Sequence, residues 1–155
     1  SVYGKGVSSD PTSYQGKAHM VRWSEINFAL ADALGICRFA QKFNSINHLG
    51  VEEFSKLIYC ATGMQFSPDE LFEIGERIIT LERLFLKREG IDRRNDTLPD
   101  RYFDEPMPLG QLKGERIDRD AFNQMLDDYY KLHHWDIDTG NPSDDLLKDL
   151  GLDLV

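Results

Sequence analysis

The sequence predicts an all-α fold: an irregular multi-helix bundle around one long central helix, with a long extended loop before the C-terminal helices. Three observations predict it. Apolar residues recur at three- and four-residue spacing along most of the chain, and no stretch alternates convincingly as a half-buried strand would. Helix start and stop signals bracket the periodic runs. Only Ile91 to Gly114 interrupts them at length, with three prolines and little period.

Taken in order, residues 1–16 carry three glycines, a proline and five serines or threonines, and read as a linker. Residues 17–155 read as a single helical domain. From Lys17 the pattern is helical: Val21, Ile26, Ala29, Leu30, Ala33 and Leu34 share one broad face, with Trp23 and Phe28 at its edges. Gly35 is placed to end this helix after Leu34. On an unbroken helix Asp32 and Cys37 would point about 140° apart, so a turn at Gly35 is what lets both face a common side. Phe39 and Phe43 continue at i,i+4 spacing and predict a short helix from Cys37 to Phe43, followed by a loop to Gly50. Val51 to Thr62 is a third helix, striped by Val51, Phe54, Leu57, Ile58 and Ala61 and capped by Gly63.

Ser67-Pro68-Asp69-Glu70 is the clearest local signal. Ser67 is the N-cap, Pro68 takes the first helical position and Glu70 completes a capping box. The helix it starts runs to Arg88-Glu89 and stops at Gly90. Its apolar arc is wide (Leu71, Phe72, Ile74, Ile78, Ile79, Leu81, Leu84, Phe85), which implies contact on more than one side. After the extended segment, Asp118 caps a helix with Phe122, Met125, Leu126, Tyr129 and Leu132 or His133 inward. Asn141-Pro142-Ser143 opens a last short helix, closed by Gly151.

The bulk numbers exclude whole classes of function. The chain has 155 residues, 41% hydrophobic and 29% charged, enough for one ordinary soluble domain. A net charge of −9 argues against nucleic acid or an anionic membrane surface as partner. No apolar run approaches the roughly 20 residues of a membrane helix, and the polar, glycine-rich start is no signal peptide. Two cysteines make no disulfide framework, so a cytoplasmic location is expected. The chain opens Ser1-Val2-Tyr3 without methionine, which reads as a cut inside a longer protein or a processed terminus.

Several features read as structural. Cys60 lies beside an apolar stripe and is expected to be a core thiol, and periodicity alone gives Cys37 the same reading after the helix cap. His133 and His134 are adjacent and cannot share a helix face. Asp136 to Gly140 fails the calcium-loop pattern, since Asn141 stands where its glycine belongs and Leu147 where its bidentate acid belongs. Asp127-Asp128 and Tyr129-Tyr130 read as a helix with one wet face. Arg88, Arg93 and Arg94 read as an exposed, solvated cluster. No phosphate loop, Ser-His-Asp set or HExxH occurs, so the chain by itself carries no complete catalytic site.

At Asp32-Ala33-Leu34-Gly35-Ile36-Cys37 the chain resembles the C-terminal, all-helical part of the tungsten-containing aldehyde ferredoxin oxidoreductases, whose motif is D-x-x-G-x-C. The resemblance continues in order through Gly16-Lys17-Ala18, Leu81-Glu82-Arg83, Arg88-Glu89-Gly90, Asp96-Thr97-Leu98-Pro99, Glu105-Pro106-Met107-Pro108, Met125 to Tyr130, Trp135-Asp136 and Leu147 to Leu152. It covers most of residues 16–152. It implies a parent enzyme that holds tungsten between two pterins beside a 4Fe-4S cluster, oxidises aldehydes to carboxylic acids and reduces ferredoxin. Carried over by position, Cys37 is implied as the fourth cluster ligand and Asp32 as the carboxylate on the pterin amino groups, with Leu34, Gly35 and Ile36 giving backbone contacts. The family's other three cluster cysteines and the domain cradling most of the cofactor have no counterpart here. The chain alone is therefore expected to be inactive and to hold no cofactor, with the missing N-terminal domains as its first partner. A different class of function competes with this one: a non-catalytic acidic helical module that binds another protein. Burial separates the two, since the first leaves Asp32 and Cys37 at an open face and the second buries Cys37.

Overall fold

The computed structural model describes residues 12–42, 45 and 47–153. These form α1 (Lys17–Ala33), α2 (Val51–Thr62), α3 (Pro68–Arg88), α4 (Arg101–Asp104), α5 (Arg119–Leu132) and α6 (Asp144–Asp149). Two 3-10 turns, Arg38–Ala40 and Arg93–Asn95, complete the regular structure, and only isolated bridges occur in place of strands among the described residues. The fold is all-α. None of these helices is long and apolar enough to cross a membrane.

The boundaries follow the local chemistry. At α3 the Ser67 hydroxyl accepts from the Glu70 N–H at 3.2 Å, and the Glu70 carboxylate accepts from the Ser67 N–H at 2.7 Å. Such a cap contributes about 1 kcal/mol. The Asp118 carboxylate accepts from Ala121 N–H at 2.8 Å to start α5, and Ser143 accepts from Leu146 N–H at 3.3 Å to start α6. Gly63 closes α2 at φ 77°, its N–H donating to the Tyr59 carbonyl at 2.9 Å.

At 21 residues α3 is the longest helix, but the packing is centred on α1, which lies against both α3 and α5; α2 packs on α3. Ile26, Leu30 and Ala31 of α1 meet Val51 and Phe54 of α2 and Leu71 of α3 in the apolar core. The α1–α3 approach is close at Gly75. A Cβ there would stand 2.6 Å from Ile26 Cγ2 and 3.0 Å from the Ile26 carbonyl oxygen, so only glycine fits without a shift.

The structure departs from the sequence reading in five places. The helix expected over Cys37–Phe43 is only the 3-10 turn Arg38–Ala40. The backbone turns instead to Leu49, whose N–H donates to Ala40 O at 2.9 Å while Lys42 N–H donates to Leu49 O at 2.8 Å. Phe39 is left 81% exposed, and Phe43 lies outside the described residues. On α2 the stripe is narrower than expected: Leu57, Ala61 and the thiol of Cys60 are exposed, so Cys60 is not a core cysteine. The segment after Gly90 is not wholly extended, since it holds a 3-10 turn and α4. Arg93 is not solvated. Its guanidinium donates to Ile137 O at 2.7 Å and pairs with Asp127 at 2.6 Å, which straps the segment to α5 and the turn that follows. Tyr129 and Tyr130 both turn inward, so α5 buries more than the wet-face reading allowed. The linker reading of residues 1–16 falls mostly on residues 1–11, outside those described.

Candidate cofactor-facing site

The end of α1 is a Schellman turn. The Ile36 N–H donates to Ala31 O at 2.8 Å and the Gly35 N–H to Asp32 O at 3.2 Å, with Gly35 at φ 68°. Only glycine adopts that φ without strain, and a Cβ at Gly35 would meet nothing within 4 Å, so the turn is open to solvent on that side. Ile36 packs against the core and anchors the turn from below. The chain leaves it extended at Cys37 (φ −58°, ψ 132°), then enters the 3-10 turn.

This geometry leaves Asp32, Leu34, Gly35 and Cys37 exposed and Ile36 half-buried. Arg38 links the two sides of the turn: its Nη2 donates to Asp32 Oδ2 at 2.7 Å. Its guanidinium lies over the Phe28 ring, 4.7 Å from the centroid. The hydrogen bond from Arg38 holds the Asp32 carboxyl below the usual range and keeps it an anion. The thiol of Cys37 is free. An exposed thiol, an ionised carboxylate and an uncovered glycine turn thus lie within six residues of one another in the sequence. The donor set suits a cluster bound through sulfur and a ring bound through its N–H groups. Asp32 and Arg38 also sit on the wall of a cleft of about 640 Å³ between α1, α3, α5 and the Asn95–Leu98 segment. Among the described residues no three His, Cys, Asp or Glu side chains converge as a metal site.

A second polar assembly lies deeper, and sequence reasoning missed it. α3 buries Glu76, Thr80 and Arg83. Nδ1 of His133, a fully buried ring, lies 2.5 Å from Glu76 Oε1, and Arg22 of α1 pairs with Glu76 Oε2 at 2.7 Å. Burial alone pushes the Glu76 carboxyl up, but His133 and Arg22 outweigh it and hold the acid below its usual range. Across the same ring, Tyr129 donates to Glu25 at 2.9 Å, and there burial wins and raises the Glu25 carboxyl. Farther along α3, Arg83 grips Asp96 at 2.6 and 3.1 Å and donates to the Gly140 carbonyl at 2.7 Å; the Tyr130 hydroxyl also donates to Asp96. The signal in the sequence was the i, i+4, i+7 spacing of Glu76, Thr80 and Arg83, a polar stripe on a helix judged only by its apolar residues.

The chain belongs to the aldehyde ferredoxin oxidoreductase family, whose model described as "Aldehyde ferredoxin oxidoreductase, domains 2 & 3" matches residues 1–152. Among the relatives, the chain is 40% identical over 126 residues to the tungsten-containing aldehyde ferredoxin oxidoreductase of Pyrococcus horikoshii, covering 81% of this chain and 19% of that protein. It is 31% identical over 134 residues to an aliphatic sulfonate oxidoreductase WOR-like subunit of Pyrococcus furiosus, covering 83% of this chain and 20% of that protein. A solved structure of the active-site complex BamBC of benzoyl coenzyme A reductase with 1,5-dienoyl-CoA matches with TM-score 0.74 and 26% identity, over 96% of this chain and 21% of that one. The chain thus spans about a fifth of the length of the curated relatives it matches.

Proposed function

We propose that this chain is the cofactor-contacting C-terminal domain of a tungstopterin, iron–sulfur aldehyde:ferredoxin oxidoreductase. Family membership supports the reading, and the observation that carries it is that Asp32 and Cys37 are both exposed, one on each side of the Gly35 turn. When bound, the tungsten pterin and 4Fe-4S groups supply the oxidation of an aldehyde and water to a carboxylic acid and the path of the electrons to ferredoxin. The residues of this chain bind and orient. Cys37 gives one thiolate to the cluster. Asp32, already ionised, accepts N–H bonds from the pterin, and Arg38 fixes its carboxylate in place until then. Leu34 to Ile36 offer backbone groups on a turn that Gly35 keeps free of side chain. Three further cluster ligands come from other domains of the same polypeptide, so the chain alone holds no cofactor and is inactive.

The higher identity to the aldehyde enzymes (40%) than to the sulfonate enzyme (31%) favours an aldehyde as substrate. The test is to substitute Asp32→Ala in the complete polypeptide and measure bound tungsten and pterin. Both fall, while Asp145→Ala, on the exposed face of α6, leaves them unchanged. Equal cofactor content in the two variants contradicts the assignment of Asp32.

A further inference from the structure

The turn at Gly35 keeps a charged pair near the Cys37 backbone. The Ile36 N–H reaches the Ala31 carbonyl at 2.8 Å. Standard bond lengths summed across that hydrogen bond put the Cα atoms of Asp32 and Cys37 at most about 11 Å apart. Arg38 follows Cys37 directly and is the only lysine or arginine between Trp23 and Gln41. Its guanidinium is held from two sides, by the Asp32 carboxylate at 2.7 Å and by the Phe28 ring, 4.7 Å from the centroid. The next cation along the chain, Lys42, is committed elsewhere, to Glu52 and Glu53 at 3.0 Å each.

We infer that Arg38 is the counter-ion that cancels the field of Asp32 at an iron–sulfur cluster bound through Cys37, and so holds the reduction potential of that cluster up. The inference rests on the reading above that Cys37 binds the cluster and Asp32 the pterin. That reading makes two opposed demands on one short stretch. The pterin N–H groups are best met by an ionised acceptor. The cluster gains negative charge on reduction, so an uncompensated carboxylate nearby opposes it. In this chain both side chains of the pair are more than half exposed, and water screens them. Where cofactor and neighbouring domains cover the turn, screening falls and a lone carboxylate would act at greater strength. A carboxylate has lone pairs enough to accept from the guanidinium and from a pterin N–H together, so Arg38 stays when the pterin arrives. Phe28 beneath the guanidinium keeps the positive charge at the turn. Arg38 is thus a positioning residue that tunes the cluster without touching a reacting atom.

The experiment is a redox titration of the complete polypeptide carrying Arg38→Gln or Arg38→Lys, with the reduced cluster followed by electron paramagnetic resonance. Arg38→Gln removes the cation and leaves Asp32 uncompensated, so the cluster becomes harder to reduce. Its one-electron equilibrium constant falls about tenfold, a downward shift of about 59 mV. Arg38→Lys keeps the charge and stays near the parent. An unchanged potential in Arg38→Gln overturns the proposal. So does an equal fall in Arg38→Lys, which would trace the effect to guanidinium geometry and not to charge. Loss of the cluster in Arg38→Gln also overturns it, because a counter-ion tunes a cluster without being required to assemble it. Bound iron in the parent separates the two readings. A parent without cluster iron refutes the role of Cys37, whereas a full cluster with a potential indifferent to Arg38 refutes only the counter-ion.

Discussion

Two aspartate–arginine pairs in this chain have nearly the same geometry and opposite surroundings. Arg38 meets Asp32 at 2.7 Å with both side chains more than half exposed. Arg83 meets Asp96 at 2.6 Å with the arginine 6% and the aspartate 26% exposed. Asp96 also accepts from Tyr130, and Arg83 also donates to Gly140, so each group of the inner pair is fixed from several sides. At the outer pair water competes for every bond. The inner pair holds α3, the Asn95–Leu98 segment and the turn at Gly140 together. The outer pair can exchange one partner for another at little cost, which suits the cofactor-binding role proposed for Asp32.

The contrast is broken or sharpened by removing one member at a time. Arg83→Leu leaves Asp96 and the Gly140 carbonyl without their main partner, and chemical denaturation should show a loss of about 3 kcal/mol. A loss near zero would make the two pairs equivalent. Glu76→Gln should cost about 2 kcal/mol at neutral pH by the same mechanism. Its pH dependence has a definite sign. The folded Glu76 carboxyl is held below its usual range, so it binds protons less readily than in the unfolded chain. Its contribution is complete above the ordinary glutamate pKa of about 4.3 and fades as pH falls through the lower folded value. The gap between the parent chain and Glu76→Gln should therefore close on acidification, and a gap that widens would refute the clamp.

Gln41 gives the reverse effect. It is 2% exposed, and among the described residues neither its amide nitrogen nor its oxygen meets a hydrogen-bond partner. Gln41→Met keeps the shape and removes the stranded dipole, so it should stabilise the chain by about 1 kcal/mol. At the outer pair the smallest effect is expected. Arg38→Leu should leave the melting temperature unchanged, while the Asp32 carboxyl, followed by NMR titration, returns upward toward the usual carboxylate range. A drop in stability there would place Asp32–Arg38 among the structural pairs.

Much of the fold was legible because its signals are local. The capping box at Ser67–Glu70 and the caps at Asp118 and Ser143 depend on residues three apart, and they sit where they were read. The turn at Gly35 was legible for the same reason. The missing helix after Cys37 was not, because the backbone partner that ends it is Leu49, a choice made in three dimensions. The polar core was hidden for a related reason. Glu76 is rewarded for burial only by Arg22 and His133, far away in the sequence, and no window on α3 contains them. The exposure of Cys60 and Leu57 was hidden because apolar periodicity marks a helix face without saying how much of that face is covered. Asp32 and Cys37 were picked out by the D-x-x-G-x-C motif. Their shared exposure, which separates a site facing another domain from a core cysteine, required the structure.

The central claim is that Cys37 is a cluster ligand and Cys60, also exposed, is not. The most direct measurement is bound iron and the 4Fe-4S absorption in the complete polypeptide carrying Cys37→Ser or Cys60→Ser. Cys37→Ser should lose cluster iron and bleach the absorption, while Cys60→Ser keeps both. Full cluster content in Cys37→Ser, or an equal loss in both variants, would contradict the assignment.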